Sequence, residues 1–106
     1  MAWYYLLIAA LLEIGWPFGL RMSQVSTENK FWWIVFGIVS MAGSGYFLWL
    51  SQKTIPMGTA YAIWTGIGMI GAFLLGIVYF SDSASSARII FATLIVVGVI
   101  GLKISA

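Results

Sequence analysis

The sequence predicts an all-α membrane protein with four transmembrane helices per chain, and three observations support this fold class. Of its 106 residues 62% are hydrophobic and only 8% are charged, whereas an average soluble domain has about 25% charged residues. The few charges leave long uncharged stretches, since residues 31–52 and 54–81 contain none. One helical span needs about 20 apolar residues, so the length allows four spans with short connections.

Four helices account for nearly the whole chain, because a membrane-spanning helix satisfies its own backbone hydrogen bonds. The first span is long enough only if it includes one acid, Glu13. The last is a shorter uncharged run, but Arg88 and Lys103 at its ends can extend their charged groups to the interface. We predict a single transmembrane domain whose spans cover roughly residues 2–21, 31–51, 57–80 and 86–104.

The basic residues do not select one orientation in the membrane. Arg21, Lys30 and Arg88 fall at one end of the predicted bundle, while Lys53 and Lys103 fall at the other with the N-terminal amine. Because an excess of Lys and Arg normally marks the cytoplasmic side, this near balance predicts insertion in both directions. Dual topology permits an antiparallel dimer of identical chains. The scattered bases form no stripe that could follow nucleic-acid phosphates.

The composition also excludes several kinds of chemistry. The chain has no cysteine and no histidine, so disulfides, thiol-based metal sites, histidine-ligated metal sites and histidine acid–base catalysis are not available. Three acids and five bases are too few to cover the surface of a soluble enzyme this apolar. We therefore expect a membrane protein that is not an enzyme and binds no metal.

Glu13 is the most informative residue, because it lies in the middle of the first span. A charge at that depth is costly, so intramembrane acids usually face a cavity and have a function. The alternative is a structural acid that bonds to a neighbouring helix. No basic residue lies at matching depth, and desolvation penalises the charge. A carboxyl that holds either a proton or a cation, but not both, can couple their movements.

The residues around Glu13 fit such a site. Trp16, three residues later, shares its helical face. Pro17, four residues later, cannot donate a hydrogen bond to the Glu13 carbonyl, so we expect a helix kink there. The kink either leaves a free backbone acceptor in the site or affects packing alone. In the second span, the Ser44 hydroxyl can bond either to the Glu13 carboxylate or to its own helix.

The third span adds aromatic residues and glycines. Tyr61 and Trp64 share a helical face, where their rings either line a pocket for an organic cation or pack in the core or at the interface. Gly66 and Gly68 form a weak point at which the helix can bend between two conformations. The sequence therefore places a candidate pocket wall and a candidate conformational hinge on one helix.

Taken together, these motifs resemble the small multidrug resistance family over essentially the whole chain. The resemblance is carried by residues 12–16 (Leu-Glu-Ile-Gly-Trp), 56–68 (Pro-Met-Gly-Thr-Ala-Tyr-Ala-Ile-Trp-Thr-Gly-Ile-Gly) and 98–103 (Gly-Val-Ile-Gly-Leu-Lys). Within the family, Trp16 and residues 64–68 resemble the guanidinium-exporter branch. The drug-exporting branch typically has glycine at the position of Trp16.

The resemblance implies a proton-coupled exporter that works as an antiparallel dimer and crosses the bacterial inner membrane several times. By matching position, Glu13 is the shared binding site for protons and substrate. Trp16 and Ser44 belong to its hydrogen-bond network, and Tyr61 and Trp64 line the pocket. Protons serve as the coupling ion, and no other cofactor is implied.

The resemblance also assigns roles to glycines. Gly66 and Gly68 match the bend of the third helix, and Gly98 and Gly101 lie in the span that matches the main dimer contact. Pro17 departs from the family, in which a small residue such as alanine is usual, and the first and third loops differ as well. The partner chain is either a second copy or a paralogous chain, since some members pair non-identical chains.

We expect the chain to export guanidinium and small guanidinyl cations, including guanylurea-type compounds. Guanidinium is planar and can meet a carboxylate with two hydrogen bonds. One alternative is a promiscuous exporter of quaternary ammonium and aromatic cations, which Trp16 disfavours because its ring fills the pocket. A second is one subunit of a paired heterodimeric exporter, and a third is a non-transporting subunit that supports a partner membrane protein. A passive channel is disfavoured, because an open water path does not need a single mid-span acid.

Overall fold

The computed structural model describes residues 1–105 and contains four α-helices. Each is long and apolar enough to cross a membrane, which confirms the prediction of four membrane-spanning helices. The antiparallel dual-topology dimer stays a prediction. The helices are α1 (Ala2–Val25), α2 (Lys30–Ser51), α3 (Met57–Phe80) and α4 (Ser86–Ser105).

The first helix continues past its predicted end near residue 21. Met22 and Ser23 are both buried, and the Ser23 hydroxyl donates to the Leu20 carbonyl at 2.6 Å. The backbone N–H of Ser26 then donates to the Met22 carbonyl at 2.8 Å. The Ser23 hydroxyl and the Ser26 backbone N–H are therefore satisfied within or just after the last helical turn.

Small residues bring α1 and α2 into close contact. A Cβ atom on Gly19 would lie 2.9 Å from the Trp33 carbonyl oxygen and 3.0 Å from the Gly37 nitrogen. A Cβ atom on Gly15 would lie 2.8 Å from the Ser40 hydroxyl. Because lipid offers no hydrophobic driving force between helices, such close backbone packing is what holds membrane helices together. It fixes the register of α2 against α1.

The helix α1 packs against both α2 and α3, whereas α4 packs on α3. A small buried cluster of Leu6, Ile55, Ala60 and Ile63 joins the beginning of α1 to the beginning of α3. In contrast, none of the residues described in α4 is buried. Within the described chain, α4 therefore leaves most of its apolar surface open to lipid or to another chain.

Four basic side chains lie over aromatic rings near the two ends of the bundle. Aromatic and long basic residues favour the membrane interface, because each combines an apolar body with a polar group. Such pairs are typical of the levels at which membrane-spanning helices meet the lipid headgroups. With the distances from the charged group to the ring centroid, they are Arg21–Phe80 (5.7 Å), Arg88–Phe73 (4.8 Å), Lys53–Trp49 (4.8 Å) and Lys103–Trp3 (4.2 Å).

Candidate functional site

Glu13 and Trp16 form the centre of the candidate site. Both lie on α1, one helical turn apart, and the Trp16 indole Nε1–H donates a hydrogen bond to Glu13 Oε1. Glu13 is partly buried. An ionised carboxylate offers about four acceptor positions over its two oxygens, and Trp16 uses one of them. The carboxylate therefore keeps acceptor capacity for a proton or for the N–H groups of a cation.

The third helix meets Glu13 with its bare backbone at Gly68. A Cβ atom at Gly68 would overlap the Cγ atom of Glu13, and one at Gly71 would overlap the side chain of Ile14. Both glycines are thus required for the close approach of α3 to α1. The Glu13 side chain is therefore packed against α3 and is partly buried at the α1–α3 contact.

Gly66 makes the corresponding contact on the other side of α3. A Cβ atom there would overlap the Val99 side chain of α4. The α3 helix is continuous through Gly66 and Gly68, so the structure provides a packing reason for both glycines. Their role as a conformational hinge stays a prediction.

Ser44 of α2 forms hydrogen bonds with both α1 and α3, and the group that accepts its proton is not one of the two that the sequence suggested. Its side chain is 1% exposed. Its hydroxyl donates to the Ala9 carbonyl of α1 at 2.7 Å and accepts from Trp64 Nε1 of α3 at 2.8 Å. The hydroxyl thus donates neither to Glu13 nor to its own helix, because the register of α2 places it opposite Ala9, one turn before Glu13. A buried hydroxyl needs such partners.

Tyr61 extends this second cluster. Its ring lies next to that of Trp64, with centroids 5.3 Å apart and planes tilted by 46°. Tyr61 is 56% exposed, whereas Trp64 is partly buried. The predicted pocket residues therefore form two groups: Trp16 on Glu13, and Tyr61 with Trp64 on Ser44.

Neither Pro17 nor the two glycines of α4 shows its predicted role within a single chain. The helix α1 is assigned as continuous through Pro17, and the predicted kink stays a prediction. Gly98 and Gly101 are exposed, with no atom within 4 Å of the position of an added Cβ. This side of α4 is therefore open to lipid or to a second chain.

A feature missed by sequence reasoning is a cavity of about 140 Å³ between α1 and α3, which we call the vestibule. It begins at Pro17, one turn beyond Glu13, and reaches the charged end of the bundle at Arg21. The spacing of Glu13, Pro17 and Arg21 at four-residue steps was the available signal, because such residues share a helical face. The residues that line the vestibule are Pro17, Phe18, Arg21, Ala72, Leu75, Gly76, Phe80 and Asp82.

Comparison with known proteins identifies relatives that match over the full length. Residues 1–95 match the family model described as Small Multidrug Resistance protein. The guanidinium exporter of Yersinia pseudotuberculosis is 45% identical over 106 residues, which is 100% of both chains. That of Salmonella typhimurium is 46% identical over 106 residues, 100% of this chain and 99% of the relative. The resemblance inferred from the motifs is confirmed: the chain belongs to the small multidrug resistance family and is a multi-pass membrane transporter.

Proposed function

We propose that this protein exports guanidinium and small guanidinyl cations across the bacterial inner membrane in exchange for protons. The observation that carries the proposal is the position of Glu13. Of the three acids, Glu13 alone lies within a helix, and its carboxylate accepts a hydrogen bond from Trp16 in the α1–α3 interface. The relatives named guanidinium exporters support the choice of substrate.

The chemistry follows from competition for one carboxylate. A protonated carboxyl cannot form an ion pair, and an ion-paired carboxylate has no proton to release. Guanidinium suits the site because its planar fork of N–H donors can engage the carboxylate oxygens together. The Trp16 ring orients the Glu13 carboxylate through its hydrogen bond. The same ring fills space that a bulky aromatic cation would need. Guanylurea-type compounds carry the same planar donor group and are exported by the same route.

The working unit is an antiparallel dimer of identical chains. Three basic residues at one end and two at the other support insertion in both directions, and α4, without a buried residue among those described, supports a second chain on its surface. Gly98 and Gly101 provide sites of close approach for that chain. Two Glu13 carboxyls in one dimer titrate as a coupled pair.

A comparison of substrates tests this function. The purified chain is reconstituted alone into liposomes, and transport currents are recorded with guanidinium, guanylurea and tetraphenylphosphonium. We expect currents with guanidinium and guanylurea, and none with tetraphenylphosphonium, which has no N–H donor. Current with tetraphenylphosphonium alone would instead identify a promiscuous drug exporter. If current appears only after a paralogous chain is added, the working unit is a heterodimer and not a homodimer.

A further inference from the structure

The vestibule contains a carboxylate that the mechanism at Glu13 does not use. Asp82 follows Ser81, which has left-handed backbone angles of φ 60° and ψ 32° and ends α3. The turn brings the Asp82 backbone N–H to the Gly76 carbonyl at 2.9 Å. A chain that leaves α3 this way is directed back over its last turn.

Gly76 makes room for the Asp82 side chain. The carboxylate oxygen Oδ2 of Asp82 occupies the space that a Cβ atom at position 76 would need. The carboxylate is therefore packed against the α3 backbone, where it forms part of the vestibule wall. Both its backbone and its side chain are positioned by the same turn.

The vestibule wall also contains a guanidinium group that belongs to the protein. The Cζ atom of Arg21 lies 5.7 Å from the centroid of the Phe80 ring, within the range of a cation–π contact. Arg21 and Asp82 both line the cavity, and the Arg21 Nη1 group donates to Gln24 at 3.2 Å. A planar cation thus already lies on the aromatic wall of this cavity.

We propose that the vestibule is a second binding site for the guanidinium group of the cargo, one that receives it between the aqueous end of the bundle and Glu13. In this site Asp82 accepts hydrogen bonds from the N–H groups of the cargo, and the Phe80 ring covers the face of its guanidinium group. The Arg21 side chain has a guanidinium group of the same shape and competes with the cargo for these two contacts. This inference rests on the proposed function. The four-residue spacing of Glu13, Pro17 and Arg21 leads from this site along one face of α1 to the carboxylate of the central site.

The proposal predicts opposite effects for the two charged residues. Asp82→Asn removes the accepting charge and is expected to raise the KM for guanidinium about threefold. Arg21→Gln removes the competing guanidinium and is expected to lower KM by about as much, because interactions between solvent-exposed charges are of this size. The currents are recorded on reconstituted protein over a range of guanidinium chloride concentrations. Since misfolding does not lower KM, the Arg21 variant keeps the test independent of folding defects.

Two matched controls separate the vestibule from the general charge at this end of the bundle. Glu28→Gln and Arg88→Gln make the same charge changes at the same end but outside the vestibule, and Arg88 lies over a different ring, that of Phe73. Both are expected to keep the wild-type KM. The proposal is overturned if Asp82→Asn keeps the wild-type KM, if Arg21→Gln does not lower it, or if the controls shift KM equally. A wild-type chain without guanidinium current would instead defeat the proposed function itself.

Discussion

Substitution of Glu13 by glutamine is expected to abolish proton-coupled guanidinium current. The amide of glutamine neither titrates nor carries a charge, so it can hold neither the proton nor the cation in exchange. Loss of one partner of a desolvated charge pair costs about 2–5 kcal/mol, so the guanidinium affinity should fall by at least about thirtyfold. The measurement is the current of reconstituted Glu13→Gln under a guanidinium gradient and, separately, under a proton gradient.

Glu28→Gln is the matched control, since Glu28 lies outside the helices, in the connection between α1 and α2, and is exposed. It should transport like the wild type. If Glu13→Gln retained coupled current of wild-type size, exchange at this carboxylate would be disproved. A variant that binds guanidinium normally but transports none would show that another group provides the binding energy.

A methyl group at position 68 is expected to damage both folding and transport. In Gly68→Ala the added Cβ overlaps the Glu13 Cγ atom, so either α3 must move away from α1 or the Glu13 side chain must leave its place. Overpacking of this kind costs about 1–3 kcal/mol, and displacement of the carboxylate should lower kcat/KM for guanidinium by at least about tenfold. Thermal unfolding in detergent and transport currents measure the two effects.

Gly45→Ala is the control for this substitution. Gly45 also lies within a helix, but no atom lies within 4 Å of its added Cβ. Because alanine favours a helix over glycine, Gly45→Ala should be at least as stable as the wild type and equally active. Equal transport by both alanine variants would contradict the packing of α3 on Glu13.

The sequence predicts those parts of the fold and site that depend on local spacing. The four helices follow from uncharged stretches long enough to cross a bilayer, and all four begin at or within one residue of the predicted positions. The Glu13–Trp16 pair likewise depends only on a separation of three residues within one helix. No knowledge of how the helices pack is needed for either.

Contacts between helices could not be predicted in the same way. The Ser44 hydrogen bond to Ala9 joins residues 35 positions apart, and it depends on the register that Gly15, Gly19 and Gly37 allow between α1 and α2. A hydropathy pattern identifies the face of a helix but not its shift along a neighbour. The contact of Gly68 with Glu13 was missed for the same reason.

The position of Asp82 in the vestibule wall could not be predicted, because it depends on the backbone at Ser81. A left-handed residue at a helix end is usually glycine, and a serine there gives no such signal in the sequence. Without that turn, Asp82 is only one polar residue in a short connection. The structure shows that the turn places its carboxylate on Gly76, which the sequence pattern alone does not indicate.

The most direct test of the shared carboxylate is the pH dependence of guanidinium binding to the purified protein, measured by calorimetry between about pH 6 and about pH 9. Competition between one proton and one cation predicts an affinity that falls toward acid pH, by up to about tenfold per pH unit where the carboxyl is protonated. Glu13→Asp should keep this dependence with a shifted midpoint. An affinity that is the same at every pH would contradict the account, because the proton and guanidinium would then not compete for Glu13.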